Sequence, residues 1–141
     1  MNNMHEILNN QKKFYLDNGA PSYELRIDRL NRVKDVVLTN KDRIVDALNE
    51  DFGVRSKNQS MMTDVYSIIP DIEYTKKNLR KWMKISNRKV SFPFNLLGGK
   101  AFVRYEPLGT VGMISPWNFP VNLTFSPLCC LLYTSDAADE E

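Results

Sequence analysis

TVGMISPWNFPVN, residues 110–122, decides how this chain is read. Its first six residues, 110–115, are nearly all apolar and contain a glycine, the pattern of a strand buried on both faces. Pro116 has a fixed φ and restricts Ser115 to extended backbone, so the strand must end there. Pro120 closes a short Pro-Trp-Asn-Phe-Pro elbow in the same way, and residues 122–128 then suit the start of a helix. A buried strand, a rigid elbow and a helix in succession point to an α/β fold.

Two readings of the elbow follow from the residue types. In the first it is a packed turn: Trp117 and Phe119 pack, Asn118 makes an Asx-type turn and the prolines stiffen the backbone. In the second it is a site. The crevice beyond the carboxyl end of a strand is where ligands bind in open α/β sheets. The uncharged NH2 of Asn118, held rigidly there, can donate to an oxyanion forming on a substrate carbonyl. Trp117 then offers an apolar wall with one N–H donor. Spacing alone specifies no substrate, and such turns are common.

Moving upstream, AFVRYE, residues 101–106, alternates as a strand does, and Pro107, Leu108 and Gly109 form a turn before the next one. Everything before residue 95 keeps a helical period. Residues 4–18 predict one helix, ending at Asn18-Gly19, and Ser22 is a natural N-cap for a second that carries Leu25, Ile27, Leu30, Val33, Val36 and Val37. Asn40 is the expected cap of a third, with Ile44, Leu48 and Phe52 on one face and Gly53 as its left-handed stop. Met61, Val65, Ile68, Ile72, Leu79 and Trp82 then predict a long amphipathic helix, kinked or broken at Pro70. Its C-terminal end is loaded with Lys76, Lys77, Arg80, Lys81 and Lys84, which suits the helix dipole.

The 141 residues are 43% hydrophobic and 26% charged, an ordinary globular balance for one domain with a core. No apolar run approaches a membrane helix of ~20 residues, and MNNMHEILNN is unlike a signal peptide, so cytoplasm is the expected compartment. The adjacent Cys129 and Cys130 and the single His5 offer neither a disulfide framework nor metal spacing. The net charge is +2, and without Asp136, Asp139, Glu140 and Glu141 the rest would carry +6. That basic balance admits a different class of function, a small helical interaction module holding an acidic partner or nucleic acid through residues 76–89. No aromatic platform interleaves those lysines and arginines, so a solvated helix face is the simpler account, and neither nucleic acid nor membrane is an expected partner.

YEPLGTVGMISPWNFPVN, residues 105–122, resembles the strand–elbow–helix segment of the aldehyde dehydrogenase superfamily, at Pro107, Gly109, Val111, Pro116, Trp117, Asn118 and Pro120. DFGVRS (51–56) and LRKWMK (79–84) are similar to its class-3-like branch, and together to the bacterial members of that branch that oxidise coniferyl aldehyde. The resemblance implies the N-terminal helices and first strands of an α/β fold with a Rossmann-like cofactor domain, present only in part. It places residues 1–128 in that domain, with oligomerisation strands near 90–107 and a dimer as the whole protein's expected state. The implied reaction is NAD- or NADP-dependent oxidation of an aromatic aldehyde to the acid: a cysteine thiolate attacks, hydride leaves, and a glutamate assists hydrolysis of the thioester. Asn118 falls on the oxyanion-hole asparagine, and Ser115, Pro116 and Trp117 on positions lining the nicotinamide cofactor's cleft; no metal is implied. The nucleophile and the base are expected beyond residue 141, so this chain alone is expected to be inactive. Cys129 and Cys130 fall where the family has small residues and lack the neighbours of an activated thiol.

The resemblance ends at residue 128 or 129. CLLYTSDAADEE, residues 130–141, is similar to no part of a dehydrogenase and resembles the translated read-through of a sequencing adapter, so residues 129–141 are expected to be an unrelated tail. A natural acidic tail is the alternative. Unpaired strand edges at 101–106 and 110–115 lead us to expect aggregation or partial folding of the chain by itself.

Overall fold

The computed structural model describes residues 2–107 and 109–134. The acidic residues of the last stretch, 135–141, and Leu108 of the turn before the elbow lie outside it. Six helices run in the order α1 (Asn2–Asn18), α2 (Tyr23–Thr39), α3 (Lys41–Phe52), α4 (Lys57–Ser60), α5 (Ile68–Trp82) and α6 (Asn122–Thr134). A π-helical segment, Met61–Tyr66, joins α4 to α5, and a small hairpin, β1 (Ser86–Arg88) and β2 (Ala101–Val103), separates α5 from the elbow.

Local signals act where the residue chemistry demands them. The Ser22 hydroxyl accepts from the Leu25 amide at 3.2 Å and caps α2. Gly53 stops α3 with φ at 68°, a left-handed conformation that side chains with a Cβ resist. Asn40 departs from expectation. Its side chain makes no cap bond to α3 but turns back to donate to the Val36 carbonyl at 2.8 Å, and accepts from Arg43 at 3.1 Å. Only one residue separates α2 from α3, so Asn40 sits with φ −99° and ψ 9°, outside the extended geometry a side-chain cap requires. On α3 the buried face runs through Val45 and Leu48, while Phe52 is partly open.

The long amphipathic pattern forms, but its interruption comes before Pro70. The helix is π-wound over 61–66 and restarts at Ile68, which puts Pro70 in the first turn of α5, where an absent N–H leaves no bond unmade. The π segment brings the adjacent residues Asp64 and Val65 both to full burial, as an extra residue in the turn permits. Leu30 and Val37 of α2, Ile68, Ile72 and Leu79 of α5, and Cys129 and Leu132 of α6 form the centre of the core. Each large aliphatic side chain there stabilises the fold by about 1.5–3 kcal/mol relative to exposure.

The strands are shorter than expected. Of residues 101–106 only 101–103 pair, antiparallel to Ser86–Arg88, in the register Ser86↔Val103, Asn87↔Phe102 and Arg88↔Ala101. Residues 110–115 form no strand among the described residues, and Ile114 is 99% exposed. A strand needs a ladder partner, and the sheet of the described residues holds β1 and β2 alone.

Candidate active site at the Pro-Trp-Asn-Phe-Pro elbow

The elbow leaves the extended segment at Ser115 and enters α6 at Asn122. Ser115 is turned inward: its hydroxyl lies 2.7 Å from the Thr124 hydroxyl and 3.2 Å from the Leu123 carbonyl, and its one proton is placed between those two acceptors. Thr124 in turn donates to the Pro120 carbonyl at 2.6 Å. These bonds fold the last residue of the extended segment against the first turn of the helix. The Ser115 side chain thus supports the elbow from behind, and its contribution to any ligand would come from its backbone.

Trp117 and Asn118 face the other way. Trp117 is 86% exposed, so the packed-turn expectation fails for its indole, while Phe119 does pack, its ring lying 4.9 Å from the Arg55 guanidinium carbon. The Asn118 side chain makes no hydrogen bond among the described residues, so the Asx turn is not formed. Its backbone carbonyl, by contrast, accepts from Arg55 at 3.0 Å. The backbone of Asn118 is held and its amide is presented outward. Ser115, Pro116, Trp117 and Asn118 come together at one corner, with the exposed Val111, Met113 and Ile114 leading into it.

Beneath the elbow lies a buried ion pair that the helical periodicity conceals. Arg55 donates to Asp64 at 2.5 Å and to the Thr63 hydroxyl at 3.0 Å. The other Asp64 oxygen accepts from the backbone amides of Val121 and Asn122 at 3.2 and 3.3 Å, at the start of α6. A carboxylate there satisfies amides that have no intrahelical acceptor and complements the helix dipole. The Asn122 side chain closes the set with a short hydrogen bond to the Ser67 hydroxyl. The one signal in the sequence was DFGVRS itself, a charged residue two positions after a helix-ending glycine.

Neither cysteine has the surroundings of a nucleophile. Cys129 is fully buried, with Sγ donating to the Phe125 carbonyl at 3.0 Å, and burial pushes its thiol from 9.0 up to about 12. Cys130 is exposed, yet it is also pushed up, first by partial desolvation and then by the charge of Asp71. Among the described residues no group of His, Cys, Asp and Glu is arranged to hold a metal ion. No helix there is long and apolar enough to cross a membrane. On the basic end of α5, Lys76 and Lys34 converge on Glu73 at 3.5 and 2.7 Å, holding its carboxyl below the usual range chiefly through the Lys34 hydrogen bond. Arg80 lies over the Tyr23 ring at 4.6 Å.

With this geometry in hand, comparison with known proteins is decisive: the aldehyde dehydrogenase family model matches residues 7–135. The chain belongs to the aldehyde dehydrogenase family. It is 44% identical over 126 residues to a probable coniferyl aldehyde dehydrogenase of Caulobacter vibrioides, a match covering 89% of this chain and 26% of that protein. It is 37% identical over 131 residues to the coniferyl aldehyde dehydrogenase of Pseudomonas sp. strain HR199, covering 93% of this chain and 26% of the relative. The structure of Staphylococcus aureus AldH in a substrate-bound state superposes with a TM-score of 0.82 at 25% identity, over 94% of this chain and 28% of that one. This aldehyde dehydrogenase chain therefore spans about a quarter of the length of the relatives it matches. Its helices and hairpin are part of the α/β architecture expected from the elbow.

Proposed function

We propose that this chain is the N-terminal part of an NAD- or NADP-dependent dehydrogenase that oxidises an aromatic aldehyde of the coniferyl type to its acid. The observation carrying this reading is the outward, uncommitted amide of Asn118 on a backbone anchored from behind. Attack of a thiolate on an aldehyde turns a neutral carbonyl oxygen into an oxyanion. A preorganised neutral donor stabilises that charge without attracting a counter-charge in the ground state. In this reading Asn118 donates to the oxyanion, while the nucleophilic cysteine and the glutamate come from the part of the relatives' length that this chain does not span. The raised thiols of Cys129 and Cys130 support the assignment of the nucleophile elsewhere.

The residues present fit a nicotinamide cofactor as one wall of its site: the Trp117 indole and the Ile114 side chain, three positions apart, are apolar and open to solvent. Ser115, Pro116 and Trp117 are the residues that would hold it. Bound there, the cofactor supplies an acceptor for the aldehyde's hydride. The preference for an aromatic aldehyde rests on the similarity to the two coniferyl aldehyde dehydrogenases. The exposed apolar residues of the hairpin arm, Phe92, Phe94, Leu96 and Leu97, support a subunit contact near residues 90–107 in the whole protein.

The test is Asn118→Ala in a full-length enzyme containing this segment. A kcat lower by ~10²–10³, with much smaller changes in KM for aldehyde and cofactor, is the expected result for one lost oxyanion donor. Near-normal kcat with a lowered melting temperature would assign the elbow to folding alone.

A further inference from the structure

We propose that the buried Arg55–Asp64 pair is a positioning device for the reaction, a clamp that sets the Asn118 amide by gripping the backbone on both sides of Phe119 and Pro120. The inference rests on the role proposed above for Asn118 and adds the residues that aim it. Arg55 and Asp64 have side chains only 8% and 0% exposed, and they divide the elbow between them. The guanidinium takes the Asn118 carbonyl at 3.0 Å. The carboxylate takes the Val121 and Asn122 amides at 3.2 and 3.3 Å. The ion pair at 2.5 Å joins the two grips into one rigid unit across the elbow.

Several features separate this arrangement from an incidental salt bridge. Arg55 is fixed as a plane, its guanidinium carbon 5.1 Å from the centre of the Phe52 ring and 4.9 Å from that of Phe119. Stacking of this kind, together with forked donation, is a property of arginine that lysine lacks. Thr63 adds a third hydrogen bond to Arg55 and is itself held by the Gln59 carbonyl at 2.9 Å. Asp64 is delivered by the π-wound segment, a winding that is rare and frequent at functional sites. A buried pair is weak support for stability, because desolvation offsets much of its attraction. Its geometric specificity is what the elbow uses. Two prolines stiffen the elbow locally but leave its placement relative to the helices undetermined. The clamp supplies that placement through α3, the π segment and the start of α6.

The consequence is kinetic. A donor displaced by about 1 Å from the position an oxyanion will occupy loses on the order of 100-fold in rate, while ground-state binding changes little. The experiment uses full-length enzyme, with kcat expressed per titrated active site so that misfolded molecules do not count. Arg55→Met, Arg55→Lys and Asp64→Asn are made alone and in the Asn118→Ala background. The expected result is a kcat lowered by about 10–100-fold in Arg55→Met, a smaller loss in Arg55→Lys, and KM values within about threefold. In the Asn118→Ala background, Arg55→Met should cost no further kcat, since both act through one amide. Asp64→Asn retains an acceptor for the Val121 and Asn122 amides, so it reports on the clamp if Arg55→Met does not fold, and it too should lose kcat only while Asn118 is present. A kcat per site within twofold of the parent in the folded variants, or losses that add fully to that of Asn118→Ala, overturns the clamp. Should Asn118→Ala itself retain full kcat, the oxyanion role fails first and the clamp with it, an outcome distinct from failure of the clamp alone.

Discussion

Arg26 lies in the first turns of α2 with only 3% of its surface exposed, and replacing it with methionine should unlatch α6 from α2. Its Nε donates to the Pro21 carbonyl at 3.1 Å and its Nη1 to the Leu132 carbonyl at 3.1 Å, across 106 residues of chain. Leu132 stands near the C-terminal end of α6, where carbonyls lack an onward amide, so Arg26 acts as a remote cap. A hydrogen bond from a charged donor contributes about 1.5–3 kcal/mol, and the Leu132 bond is buried. The Pro21 bond is only part-buried, and water recovers much of it when Arg26 is lost. Methionine keeps most of the apolar stem, which limits the packing loss. The expected cost of Arg26→Met is therefore about 3 kcal/mol. With a urea slope of ~1–3 kcal/mol/M, the midpoint should fall by roughly 1–3 M. The assay is urea unfolding in dilute solution by far-ultraviolet circular dichroism, with Arg43→Met as control, at an exposed arginine whose one hydrogen bond among the described residues is to Asn40. Equal midpoints for Arg26→Met and the parent, or equal losses in Arg26→Met and Arg43→Met, would refute the latch.

Trp117→Ala should change unfolding stability by less than about 0.5 kcal/mol, because an indole 86% exposed contributes little packing; a loss above about 1 kcal/mol in the same assay would contradict this. Burial raises the Cys129 thiol from 9.0 to about 12, so as pH climbs through that window the unfolded thiol ionises first and stability falls. Cys129→Ala should flatten that decline, and iodoacetamide followed by mass spectrometry should label Cys130 well before Cys129; equal labelling in the folded protein speaks against the assignment. Leu96→Lys with Leu97→Lys, both on the open hairpin arm, should lower the oligomeric state of the full-length enzyme in sedimentation, and an unchanged assembly would exclude the arm from the subunit contact.

Local chemistry was legible wherever a residue acts within a few positions of itself. The Ser22 cap, the Gly53 stop, the apolar faces of α2 and α5, and the Pro116–Pro120 elbow follow from conformational preferences that neighbours in the chain decide. The family signature could be read for the same reason, its seven matching positions all falling within residues 107–120. Asn118 was legible as a candidate, since a rigid turn with an uncharged amide is visible in the residue types alone.

Other features are decided only when distant segments meet. Nothing local marks Arg26, Arg55 and Asp64 as inward-facing, yet all three are buried, each with a partner tens of residues away in the elbow or α6. Periodicity reports which face of a helix is apolar, and it is silent on a charge whose counter-charge or carbonyl arrives from elsewhere. The break before Pro70 depended likewise on the π winding that turns Asp64 inward. Residues 110–115 show the same division from the other side: their apolar composition specifies extended backbone, while a strand requires a partner's amides and carbonyls, which no local sequence supplies. The sequence by itself determined the helices, their stops and the elbow's stiffness. The tertiary structure alone decided which way the elbow points, through charges whose energy depends on who stands opposite them.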